Sequence, residues 1–259
     1  MNKLYNKSEI WFAILWIVLY VVGASITDSL SELVGIEQIF TAILLAIMSC
    51  ILLIWLIKNG HREKYGLIKP KHPLKYYLYY IPLLVIISLN LWFGVADDLT
   101  VLSVIFPFIT MLLVGIVEEI IFRGLLFRAM EKDSPKPAII VSSITFGIGH
   151  IINLLSSGLD NLLPNILQVL YATAAGFMFV IIFYKGGSLL PCIITHSLFN
   201  AMSVFSSPRL SENNIQIITA IILIIISIAY TLILLKTLKP VEQSTQSEKA
   251  IKKEKEYDI

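Results

Sequence analysis

The chain has 259 residues, 57% of them hydrophobic and 15% charged, with a net charge of +2 and a mean hydropathy of +0.81. A soluble domain averages about 45–50% apolar and about 25% charged residues, so the composition excludes a water-soluble globule and points to an integral membrane protein. So small a net charge gives no sign of nucleic acid as a partner, and Cys50 and Cys192, each inside an apolar run, offer neither metal spacing nor a disulfide framework.

Eight apolar segments follow one another: residues 10–26, 39–57, 76–95, 101–127, 138–155, 162–184, 188–205 and 215–235. Each approaches the length that crosses a bilayer. In lipid every backbone polar group must be satisfied within its own segment, so the segments are predicted helices despite their Ile and Val content. The first follows Lys3 and Lys7 and precedes Gly23-Ala24-Ser25, but it is long for a signal peptide and is read as an uncleaved helix. With eight spans, every Lys and Arg except Arg209 falls on one side, while Asp28, Glu32, Glu37, Asp97, Asp98, Asp160 and Glu212 fall on the other. The positive-inside rule then places both termini in the cytoplasm of a multi-pass cell-membrane protein. The fold class is all-α, with residues 1–240 forming one integral-membrane domain. Residues 241–259 read as a disordered cytoplasmic tail. The basic loop 58–75 serves either as a headgroup anchor or as a contact for lipid or substrate.

Ionisable residues inside spans are costly and point to function. They fall in three clusters. Glu118-Glu119-Ile120-Ile121-Phe122-Arg123 closes the fourth segment. Glu119 and Arg123, four apart, share a helix face and can pair. Glu118 lies about 100° round the helix, lacks a local cation, and is the freer carboxylate. Desolvation would suit it to general-base work. The competing reading is a headgroup-level ion pair. Phe146-Gly147-Ile148-Gly149-His150 sits in the fifth segment, where the two glycines allow close helix approach; a histidine there is either a packed site residue or a hydrogen-bonded packing residue. His196-Ser197-Leu198-Phe199-Asn200, in the seventh segment, places His196 and Asn200 on one face. Imidazole and amide can donate to a developing oxyanion; they also suit plain interhelical hydrogen bonding, and Asn is a poor transition-metal ligand. With Glu118 at the cytoplasmic end of its span, His150 lies deeper by residue count, so the fifth helix is expected to be tilted, late-entering or broken.

Taken in order, Glu118-Glu119-x-x-x-Arg123, Phe146-x-x-x-His150 and His196-x-x-x-Asn200, with a Gly-Ser-x-x-x-Pro lead-in at Gly187 to Pro191, resemble the motifs of the CPBP family. That family comprises the CAAX proteases and bacteriocin-processing or immunity proteins, also called Abi, and its prokaryotic members resemble Rce1-type CAAX endopeptidases. The resemblance covers about residues 101–205. It implies an eight-helix intramembrane endopeptidase acting on a peptide or protein near the cytoplasmic face, such as a lipidated or secreted-peptide precursor. It also implies that Glu118 activates water with help from His150, that His196 and Asn200 stabilise the oxyanion, and that Glu119 and Arg123 order the site, with Phe146 in support. No cofactor is expected. There is no His-Glu-x-x-His, and His-x-x-x-Asn supplies only one good ligand; a divalent metal such as zinc, if used, would fall to Glu118, His150 and His196. The competing functions are a non-catalytic immunity or regulatory protein of the same fold and a proton-coupled transporter. Against the latter stands the lack of repeat symmetry.

Overall fold

A computed structural model describes residues 1–152 and 162–239. The predicted tail, Asp160 and the end of the fifth apolar segment lie wholly or largely outside the described residues. The described chain is mostly helical, and an isolated antiparallel bridge joins Val95 to Ser206. In order it forms α1 (Asn2–Lys7), α2 (Glu9–Val34), α3 (Ile39–Lys58), α4 (Ile81–Ser88), α5 (Val101–Glu118), a π-helical stretch (Glu119–Phe127), α6 (Arg128–Glu131), α7 (Pro135–Gly149), α8 (Leu162–Gly186), α9 (Leu190–Ser203) and α10 (Asn213–Thr237). Six stretches among the described residues are long and apolar enough to cross a membrane. Of the eight predicted segments, the fifth and seventh correspond to α7 and α9, shorter helices of 15 and 14 residues. The long helices present bare apolar surface, including Trp11, Leu33, Val101 and Ile225, as lipid-facing helices do.

Local chemistry sets the helix ends. Ser8 accepts a hydrogen bond from the Trp11 amide to start α2, and Gly35, at φ 73°, ends it. Thr100 and Ser103 cap α5 reciprocally. The third apolar segment departs from the single helix predicted over 76–95. A 3₁₀ turn (Leu74–Tyr80) leads into α4 through Leu78, Tyr79 and Tyr80, all with φ of 50–58°. The physical cause is Pro82: it has no N–H to bond back to the Leu78 carbonyl, and its ring excludes that carbonyl from helical geometry. Tyr77 stacks on Tyr80 at 4.8 Å, and Tyr230 Oη donates to the Tyr77 carbonyl at 2.7 Å, holding the break.

The fourth segment is longer than its motif suggests. Val101–Glu131 runs as one 31-residue rod, so Glu118-Glu119 lies inside the rod rather than at its end. At about 1.5 Å per residue, Glu118 is about 20 Å from Glu131, and His150 about 22 Å from Pro135. The two therefore share a depth, and the expected distortion of the fifth helix is not needed to bring them level. The π-helical stretch is buried along its whole length, with α2, α7, α8 and α9 packed against it.

Small residues set the helix spacing. A Cβ on Gly115 would strike the backbone and side chain of Ser197, bringing α5 against α9, and one on Gly147 would strike Thr173, bringing α7 against α8. Gly149 faces open space, so only Gly147 of the predicted pair serves close approach. At the N-terminal end of α2, Lys64 bridges Glu9 at 2.7 Å and sits over the Tyr5 and Tyr65 rings. Burial pushes the Lys64 ammonium below its ordinary pKa, against the opposing pull of Glu9. Lys185, almost fully buried, donates to the carbonyls of Leu235 at 2.6 Å and Leu238 at 2.7 Å, closing the C-terminus of α10. Lys185→Met is expected to lower unfolding stability by about 1–3 kcal/mol, the cost of stranding buried acceptors; denaturant titration in detergent micelles checks it.

Candidate active site

The site assembles on the π-helical stretch. Glu119 and Arg123 are both fully buried, and Arg123 Nη1 bonds Glu119 Oε1 at 2.8 Å. The pairing predicted from the four-residue spacing is therefore present. A π-helix is rare and tends to occur at functional positions; here it presents Glu119 to two partners at once. The same Oε1 lies 2.8 Å from His196 Nδ1, delivered by α9. A carboxylate held by arginine can only accept, so Nδ1 carries the hydrogen and Nε2 of the neutral ring is an acceptor. That Nε2 faces Glu118 Oε2 at 3.5 Å. His196 is thus the link between the two carboxylates.

The aromatic surroundings fix these polar groups. Phe146, on α7, lies under the Arg123 guanidinium, 3.9 Å from its carbon, a cation–π arrangement that partly offsets desolvation. The same ring meets His150 at 5.4 Å and His196 at 5.6 Å, both edge-on. Phe179 on α8 stacks on His196 at 5.8 Å. His150 follows α7 directly, half-buried, and interacts electrostatically with Glu118 and His196. Glu118, Glu119, Arg123, Phe146, His150 and His196 are therefore brought into one cluster from three segments of the chain. Asn200 stands one turn beyond His196 on α9, half-buried, and its carboxamide hydrogen-bonds none of the described residues. Asn90 Nδ2 bonds the Phe199 carbonyl at 2.7 Å and steadies α9 beside it.

Two residues escaped the sequence reading. Tyr20, in the middle of α2, donates its phenol to Glu118 Oε1 at 2.6 Å. The available signal was a tyrosine deep in an apolar span, where the hydroxyl must find a partner. Phe179 carried no signal, since a phenylalanine in a membrane helix is ordinary. The first helix was read only as a span, yet it supplies a contact to the central carboxylate.

The charge inventory limits the chemistry. Glu118 and Glu119 face one buried cation, Arg123, and Oε2 of each carboxylate lies buried without a hydrogen-bond partner among the described residues. An uncompensated charge in such a medium is strongly disfavoured, so the two carboxylates depend on the single arginine and on the hydrogen bonds made with Tyr20 and His196. Among the described residues, no three His, Cys, Asp or Glu side chains are disposed to hold a metal ion. Adding a methyl at Gly115 should separate α5 from α9 and lower stability by about 1–3 kcal/mol. Gly115→Ala is expected to melt well below Gly149→Ala, whose Cβ has room, in a thermal-shift comparison of the two variants.

Residues 100–202 match the model of the family described as type II CAAX prenyl endopeptidase Rce1-like. The match spans α5, the π-helical stretch, α7 and nearly all of α9, and it agrees with the resemblance carried by the three motifs. No curated protein and no solved structure matches the chain.

Proposed function

We propose, for a chain whose residues 100–202 belong to the Rce1-like family of endopeptidases, that it hydrolyses a peptide bond inside the membrane with water activated by Glu118. The observation that carries this reading is the buried carboxylate pair sharing one arginine and one histidine. In this reading one proton is exchanged between Glu118 and His196, which stand 3.5 Å apart. With that proton on His196, Glu118 is a carboxylate and Nε2 a donor. Water held at Glu118 Oε2 then loses a proton to that oxygen as its own oxygen attacks the carbonyl carbon. The imidazolium and the Asn200 carboxamide stabilise the resulting oxyanion. Glu118 returns the proton to the departing amine nitrogen as the C–N bond breaks. Glu119 and Arg123 hold His196 in the required tautomer, and His150, across Phe146, helps to hold the water.

Metal-independent chemistry is part of the proposal. It is supported by the lack of a three-ligand grouping among the described residues and by the single good ligand in the His196–Asn200 pair. The substrate is a peptide or protein that reaches the bilayer, such as a lipidated or secreted precursor, cut near the cytoplasmic leaflet of the cell membrane. A second reading, a non-catalytic immunity or regulatory protein, rests on the same buried cluster acting only to tie helices together.

Glu118→Gln keeps the shape and removes the base. Processing is expected to fall by about 10²–10⁴-fold, measured by comparing the peptides of cells carrying wild type and variant, with and without a chelator. Wild-type processing by the variant would sink the reading in favour of the second. Loss of processing on chelation alone would replace the glutamate mechanism with a metal-dependent one.

A further inference from the structure

We infer that Tyr20, outside the Rce1-like segment, is a positioning residue that sets which oxygen of Glu118 works. This rests on the peptidase reading above. Tyr20 Oη donates to Glu118 Oε1 at 2.6 Å, within the short range of a hydroxyl bonded to a carboxylate. A glutamate side chain has three rotatable bonds and loses that freedom only where something holds it. Here the phenol holds Oε1, and the remaining oxygen, Oε2, is the one that faces His196 Nε2 at 3.5 Å. Without the phenol, either oxygen can turn to His196, and the alignment of base, imidazole and water is lost for part of the time.

The phenol's own position is well determined. α2 packs on α3 and on the π-helical stretch that bears the site. Its N-terminal end is tied by Glu9 to Lys64 at 2.7 Å and to Lys132 at 2.6 Å. Tyr20 stands about 16 Å along α2 from Glu9, level with Glu118 and His150. The first helix therefore does more than span: it carries a side chain that completes the geometry of residues 100–202.

The test uses the full-length protein in lipid nanodiscs as wild type, Tyr20→Phe, Glu118→Gln and the double variant. Infrared difference spectra identify the carboxylate band that disappears with Glu118→Gln. In Tyr20→Phe that band is expected to shift, because its strongest hydrogen bond is gone, while the melting temperature stays near wild type. Peptide processing in cells is expected to fall about 10–100-fold, the kinetic equivalent of one hydrogen bond to a charged group. An unshifted band means the contact does not hold Glu118 and overturns the inference. A shifted band with wild-type processing overturns it as well, because the contact then positions nothing that matters to turnover. Equal peptide profiles for wild type and Glu118→Gln overturn the peptidase reading and this inference with it; the Glu118 band, still shifted in Tyr20→Phe, tells that failure from the first.

Discussion

Glu119 and Arg123 form an ion pair with both side chains fully removed from solvent, and the surrounding helices meet around that pair. Moving one such ion from water into a medium of low dielectric costs on the order of 20 kcal/mol in the idealised limit. Direct pairing offsets much of this cost, and the ring of Phe146 beneath the guanidinium and the imidazole of His196 on the carboxylate offset more. Each partner comes from a different helix. The pair therefore draws α7 and α9 onto the π-helical stretch, and what looks like a local i,i+4 contact organises the bundle around it.

Close packing makes this convergence possible. Gly115 against Ser197 and Gly147 against Thr173 remove the side-chain volume that would otherwise hold the helices apart. Ser197 Oγ also donates to the Leu112 carbonyl at 2.8 Å, and Ser142 Oγ to the Phe122 carbonyl at 2.9 Å. In lipid there is little hydrophobic drive between helices, so small residues and hydrogen bonds of this kind supply the association. The same contacts leave Phe146 edge-on to His196 and Phe179 stacked on it. The site is lined by aromatic rings and holds two carboxylates against one arginine.

Residues before the Rce1-like segment contribute at both depths. At the N-terminal end of α2, Tyr5, Lys64 and Glu9 clamp α1 and α2 to the loop before α4, and that loop reaches the turn before α9 through Ser188 Oγ, which donates to the Ile68 carbonyl at 2.6 Å. At the depth of the site, Tyr20 reaches Glu118. The beginning of the chain is thus connected mechanically both to the start of the His196 helix and to the central carboxylate.

Composition alone determined that this is a membrane protein of helices, because lipid leaves the backbone no other way to satisfy its polar groups. The spacing of Glu119 and Arg123 determined their pairing, since helical geometry places residues four apart side by side, and the three ordered motifs identified the residues that gather. Tertiary structure decided what periodicity cannot carry. It continued the fourth rod past the glutamates to Glu131 and so put Glu118 level with His150; it broke the third segment at Pro82; and it brought Tyr20 to Glu118. Pairing across helices depends on rotation and depth, and neither is written in the spacing of any one segment. The hydrogen bond from Tyr20 to Glu118, between residues 98 positions apart, exists only because two rods of the right length stand at the right angle to each other.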